Sequence, residues 1–159
     1  MDFKIRLATK KDMPQVLDLI QELAEFEKEP NAVLISVEEL EREGFGNHPI
    51  FNCFVATHKD TIIGIALTYI RYSTWKGKTL HLEDLVVKEA FRGSGLGSKL
   101  LDQVIKLGAS LKVRRISWEV LDWNTPAINF YENKGATILR DWHLVQMDEN
   151  SIQNYLEKL

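Results

Sequence analysis

Residues 80–101, LHLEDLVVKEAFRGSGLGSKLL, constrain this chain more than any other stretch. Residues 80–87 are dense in branched apolar side chains and predict a buried strand. Further on, Leu100, Leu101, Val104, Ile105 and Gly108 recur on one helical face. Between strand and helix lies Arg92-Gly93-Ser94-Gly95-Leu96-Gly97-Ser98. A helix N-terminus carries free N–H groups and partial positive charge, so it attracts phosphate. Glycines let the backbone approach an anion and turn its N–H groups toward it. Arg92 adds a permanent cation with a forked donor. The segment therefore offers a phosphate cradle at the end of a buried strand.

Spacing narrows what the cradle can hold. A Walker loop needs G-x-x-x-x-G-K-[ST], and here the interval from Gly93 to Gly97 is one residue short, with no Ser or Thr after Lys99. The dinucleotide fingerprint G-x-G-x-x-G is likewise absent, because the chain has G-x-G-x-G. What fits is R-x-x-G-x-G, at Arg92, Gly95 and Gly97. The bland alternative is a glycine-rich turn that binds nothing.

At 159 residues the chain has the length of one domain, 1–159, with enough material for a real core. Its net charge is −3 with both signs mixed, so no basic patch argues for nucleic acid. No apolar run approaches the length of a membrane span, and no signal pattern precedes the first strand. Cys53 is alone, which excludes an internal disulfide and points to a reducing cytoplasm. It lies in an apolar run and reads as a buried strand residue. His48, His58, His81 and His143 have no metal-ligand spacing, so no metal is expected.

Residues 3–8 read as a strand, followed by a helix from 11 to 27. A second helix starts at Ser36, where Glu39 completes a capping box and Ile35 is placed to staple onto Leu40. Residues 51–57 and 62–72 form a hairpin across residues 58–61. The strand at 80–87, a helix over 95–111 and a strand at 115–121 follow. Thr125-Pro126 opens another helix, which Gly135 ends. Strands at 137–139 and 143–147 then close the sheet, before a terminal helix over 152–159. The expected fold is α/β, with a mixed, mostly antiparallel sheet flanked by helices.

R-x-x-G-x-G after an apolar strand, set in this order of elements, resembles the GNAT superfamily of acetyl-CoA-dependent N-acetyltransferases. That resemblance implies acetyl-CoA as co-substrate. Acetyl transfer from a thioester needs a neutral amine, a polarised carbonyl and a proton for the departing thiolate. A lysine-like amine has a pKa of about 10.4, so neutralising it near pH 7 costs roughly 4–5 kcal/mol. An acidic group, directly or through water, is the usual proton acceptor. Glu83 and Asp84 are adjacent in the strand, and alternation sends them to opposite faces, so at most one reaches a given cleft. A strand-end salt bridge is the structural alternative for them. Glu27 lies on the stripe Met13, Val16, Ile20 and Leu23, facing inward at a helix C-terminus where negative charge is unfavourable. A cationic amine would relieve it, whereas a frayed helix end would leave it solvated. Tyr131, a phenol of pKa about 10, is the candidate proton donor, with core packing as its alternative.

A closer resemblance is to the diamine and polyamine acetyltransferase branch, which includes the thialysine N-epsilon-acetyltransferases. It is carried by Ile5-Arg6, Glu22-Leu23-Ala24-Glu25-Phe26-Glu27, Gly44-Phe45-Gly46, His48-Pro49 and Leu82-Glu83-Asp84. The glycine loop, Asp122-Trp123-Asn124, Asn129-Phe130-Tyr131 and Gly135-Ala136 complete it. By this resemblance Tyr131 is the proton donor and Glu83 the water-linked base. Leu85, Val86 and Val87 with Arg92, Gly93, Ser94, Gly95, Leu96, Gly97 and Ser98 would hold pantetheine and pyrophosphate. Asn124, Thr125, Pro126 and Tyr131 would also lie near CoA. Phe26, Glu27, Glu83, Ser117, Trp118 and Glu119 would line the pocket for a small-molecule amine. The resemblance also implies a homodimer, with neither nucleic acid nor membrane as partner.

Departures bear on the substrate. Ser73 stands where polyamine-acting members carry an acid, and Tyr72-Ser73-Thr74-Trp75-Lys76-Gly77 resembles the thialysine-acting members. Losing an anion favours a shorter, amino-acid-like amine over a diamine or polyamine. Asp141 and Trp142 fall near the family's late acid and tryptophan, after a segment shorter by a few residues. A module that binds CoA without turnover is the alternative of a different class.

Overall fold

The structure is a computed structural model that describes residues 2–159. It divides into two units, the first ending at Glu119 and the second spanning Val120–Leu159.

The first unit is built on a five-stranded sheet in the order β1-β2-β3-β4-β5. Its strands are β1 (Lys4–Leu7), β2 (Asn52–His58), β3 (Thr61–Ser73), β4 (Gly77–Val87) and β5 (Ile116–Ser117). The first three pairings are antiparallel and the last is parallel. Between β2 and β3 the turn is tight, with Lys59 at φ 55°, a left-handed value typical of short hairpin loops. The sheet is therefore mixed and mostly antiparallel, as the sequence predicts.

Helices cover both faces. Helix α1 (Met13–Phe26) buries Met13, Val16 and Leu19 fully. These pack with Leu40 of α2 (Val37–Phe45) and with Val55, Ile65 and Leu67 of the sheet. Gly64, on the alternate face of β3, lies under Leu96 and Leu100 of α3 (Leu96–Ser110). A Cβ there would come within 2.9 Å of the Val86 carbonyl oxygen, so only glycine permits this approach. Cys53 is a buried β2 residue, and burial pushes its thiol up to about 12, which leaves it inert.

Local signals read from the sequence have direct counterparts. Ser36 Oγ accepts from Glu39 N–H at 3.2 Å, and a Glu39 oxygen accepts from Ser36 N–H at 2.8 Å. The first helix differs at its start, where Lys10–Asp12 form a 3-10 turn and the α-helix begins at Met13. Asp12 explains the offset. Its carboxylate accepts from Thr9 N–H at 2.7 Å and from both terminal nitrogens of Arg6, at 2.7 and 2.9 Å. Strand, turn and helix are joined through that one carboxylate.

Two expectations are corrected. The strand predicted at 115–121 pairs only over Ile116–Ser117, opposite Leu80 and His81. Strands predicted at 137–139 and 143–147 do not form among the described residues of the second unit. That unit holds α4 (Thr125–Asn133) and α5 (Glu149–Leu156), with Leu139, Leu144, Val145 and Met147 exposed between them. Alternating apolar residues favour a strand only where a neighbouring edge takes up the backbone groups.

Asp12 also sets an acid-stability signature. Hydrogen bonds from Arg6 lower its pKa from 3.8 to about 2, with burial opposing and Thr9 assisting. A depressed carboxylate stabilises the fold above its unfolded value, and this is lost as pH falls through about 2. Asp12→Asn is expected to cost roughly 1–2 kcal/mol at pH 7. Urea titrations should show this gap closing between about pH 4 and pH 2. An unchanged gap at the lower pH would remove the ion pair as its cause.

Candidate active site

The glycine loop leads into α3 as a cradle. Gly93 and Gly95 have φ of 75° and 82°, and a Cβ on either would meet nothing within 4 Å. Left-handed backbone and open space together describe a loop whose outer side is free for a ligand. Gly95 is the N-cap residue of α3 and offers no side-chain acceptor, so the first-turn N–H groups have no partner within the helix. Leu96 is buried and anchors that turn, while Gly97 and Ser98 are half-buried. Ser94 Oγ donates to the Phe91 carbonyl at 2.6 Å, so its side chain braces the loop. Arg92 Nε donates to the Val87 carbonyl at 3.1 Å, and its guanidinium lies 5.2 Å above the Phe26 ring. The cation is thereby fixed between the loop and the end of α1.

Beside the cradle runs a strand edge that no described strand covers. Leu85, Val86 and Val87 pair with Ala66, Ile65 and Gly64 of β3 on one side. On the other side, the described ladder to β5 ends at His81. An extended ligand arm could pair along that edge.

The carboxylates depart most from expectation. Thr68 pairs with Leu82 and Leu67 with Asp84, which makes Glu83 an extra residue in β4. A bulge of this kind interrupts alternation and bends its strand. Glu83 and Asp84 consequently line the same cavity, about 430 Å³ in volume, rather than opposite faces. Ile20, Leu40, Phe51 and Leu67 form apolar walls, and Glu39 and Glu43, each paired with Arg42, also line it. Asp84 is half-buried, and its pKa is raised from 3.8 to about 6, by burial first and then by the charges of Glu83 and Glu27. Glu27 ends α1 as its C-cap residue, with its own pKa raised by desolvation. The cleft is an apolar slot with crowded negative charge.

Around Glu83 the neighbours are polar. His81 Nε2 stands 3.6 Å from Glu83 Oε2, and His81 Nδ1 stands 3.4 Å from Ser117 Oγ. The phenol of Tyr69 is raised by burial and by Glu83, with Glu119 adding a smaller push. Glu83, Ser117 and Glu119 thus meet around Tyr69 and His81, while Phe26 meets Arg92 and Glu27 acts on Asp84. Trp118 is half-buried, immediately after β5.

In the second unit, Asn124 Oδ1 accepts from Ala127 N–H at 3.3 Å and caps α4, with Thr125 and Pro126 in the first turn. Tyr131 is 8% exposed, packs against the Phe130 ring at 5.2 Å, and has its phenol pushed up to about 12 by burial. It stays protonated at neutral pH, as a proton donor must.

Sequence reasoning missed Tyr69 and His81, and it set Asp84 on the face opposite Glu83. The first two were findable, since strict alternation puts His81 on the face of Glu83, and Tyr69 stands opposite His81 once the hairpin register is known. Nothing local announces the bulge that redirects Asp84.

Comparisons with known proteins agree with this geometry. The family model described as the acetyltransferase (GNAT) family matches residues 15–136. The thialysine N-epsilon-acetyltransferase of Bos taurus is 36% identical, with 97% of each chain covered. Spermidine/spermine N(1)-acetyltransferase-like protein 1 of Homo sapiens is 33% identical over 94% of this chain and 23% of that protein. An integron cassette protein from the mobile metagenome of V. cholerae shares the fold with a TM-score of 0.80 at 21% identity, covering 99% of both chains. A strand-edge slot, an R-x-x-G-x-G cradle and matches of this extent converge on one conclusion: the chain belongs to the acetyltransferase (GNAT) family and is an N-acetyltransferase of that family.

Proposed function

We propose that the protein transfers the acetyl group of acetyl-CoA to the primary amine of a small cationic molecule, thialysine or a lysine-like amine. The observation that carries this reading is the acid-lined apolar cleft at the β4 bulge, where Glu83 and Asp84 face one cavity. Apolar walls suit the methylene chain of such an amine, and clustered carboxylates suit its charge. Ser73 supports the shorter substrate over a diamine or polyamine. Its Oγ accepts from the N–H groups of Trp75 and Lys76, at 3.3 and 3.2 Å, so it serves a turn and adds no anion. The similarity to proteins named thialysine N-epsilon-acetyltransferase points the same way.

In this reading the α3 N-terminus and Arg92 bind pyrophosphate, and the free edge at Leu85, Val86 and Val87 pairs with the pantetheine arm. Glu83, Asp84 and Glu27 draw in the ammonium group, and Glu83 or Asp84 collects its proton. Tyr131 donates a proton to the departing sulfur. Assembly as a homodimer and a cytoplasmic location belong to the same proposal and rest on the resemblance. Among the described residues no helix is long and apolar enough to cross a membrane.

Thiol release from acetyl-CoA against thialysine, lysine, putrescine, spermidine and a histone-tail peptide tests the reading. Turnover confined to the amino-acid-like amines supports it. A preference for spermidine would move the substrate to the polyamines, and silence with CoA still bound would leave a binding module.

Asp84 generates a paired prediction. The amine needs it ionised, so kcat/KM should rise through about pH 6, and Asp84→Asn should abolish that rise. Its folded pKa lies above the unfolded value of 3.8, so its stabilising contribution is lost as pH rises through about 6. The same variant should therefore be more stable than the parent by roughly 1–3 kcal/mol at pH 7.5 and equal to it near pH 3.5. A variant destabilised at pH 7.5 would show that Asp84 serves the fold.

Tyr131→Phe should lower kcat about a hundredfold while acetyl-CoA affinity stays nearly constant. Full turnover in this variant, measured by thiol release, would assign the proton to solvent.

A further inference from the structure

One polar group in β4 has no part in the reading above. His81 is only 4% exposed, on a strand whose neighbouring residues Leu80 and Leu82 are core. A buried imidazole is tolerated where both ring nitrogens find partners. Here Nδ1 faces Ser117 Oγ at 3.4 Å, Nε2 faces Glu83 Oε2 at 3.6 Å, and the ring packs against Tyr69 with centroids 5.0 Å apart. The Ser117 hydroxyl can donate to Nδ1 or accept from it, whereas a carboxylate only accepts, so the Glu83 side is what favours the ring proton on Nε2.

Glu83 needs such a neighbour. As the extra residue of the bulge it has no partner opposite it in β3, and its side chain is 52% exposed. The ladder therefore does not fix its rotamer. We propose that His81 is a positioning residue for acetyl transfer, a proposal that rests on the acetyl-transfer reading. With Ser117 donating to Nδ1, Nε2–H draws one Glu83 oxygen toward it beside the Tyr69 phenol and steadies the carboxylate that accepts the amine's proton. Contacts of this kind are commonly long in a free enzyme and tighten when substrate is bound.

Kinetics use an amine that the parent turns over. His81→Leu should lower kcat about tenfold, with amine KM and acetyl-CoA affinity within about twofold of the parent. His81→Gln, which keeps an N–H donor, should recover most of kcat. In a Glu83→Gln background His81→Leu should cost nothing further, because residues acting as a unit are not additive. Unchanged kcat in His81→Leu, or an additive loss in the Glu83→Gln background, would overturn the proposal. Nitrogen-15 NMR of the histidine rings tests it without turnover, so its failure is separable from failure of the acetyl-transfer reading. An Nε2–H tautomer at His81 that shifts on Glu83→Gln supports the proposal, and an Nδ1–H tautomer overturns it. Should His81→Leu fold poorly, His81→Gln and the NMR measurement decide the question.

Discussion

The extra residue at Glu83 is the constraint on which the candidate site depends. Paired with β3 on one side, β4 absorbs Glu83 as a bulge between Leu82 and Asp84. A bulge bends its strand and breaks the alternation of side chains. The broken alternation is visible here. The ladder to β5 stops at His81, so no described strand neighbours Leu85, Val86 and Val87 on that side, and two successive carboxylates line one cavity. A regular strand would have sent Asp84 away from Glu83.

Electrostatics divide the first unit into a solved and an unsolved half. Asp12 meets Arg6 and Thr9, and its pKa falls to about 2. Asp84 meets Glu83 and Glu27 instead, and its pKa rises to about 6. Burial is the larger cause at Asp84, with these charges adding to it, whereas at Asp12 the hydrogen bonds from Arg6 outweigh burial. Close by, the α3 N-terminus and Arg92 present the opposite sign on open backbone. The Arg92–Phe26 contact ties this positive loop to the end of α1, where Glu27 sits. Anion and cation sites are thus held as neighbours by one strand end and one helix end.

Legibility followed the range of the interactions. Ser36 and Glu39 are three residues apart and cap α2 as read. The hairpin at His58, Lys59, Asp60 and Thr61 and the glycine loop were equally local, and their elements lie close to the predicted bounds. Glu27 was read as an inward acid at a helix end; it is the C-cap residue of α1, and its pKa is raised by desolvation. The pair Glu83 and Asp84 was misread because period two assumes an unbroken ladder. Residues 137–147 were misread for a related reason, since alternation there implied a ladder that does not form among the described residues.

By itself the sequence determined the helices, the hairpin, the cradle and the stock of acids, because dihedral preference, capping and periodicity act within a few residues. Tertiary structure alone decided where β4 slips a residue against β3, which acids share a cleft, and how far β5 pairs. Those outcomes compare backbone registers between segments distant in the chain, and the side chains that choose between them, from Ile20 in α1 to Leu67 in β3, meet only after folding.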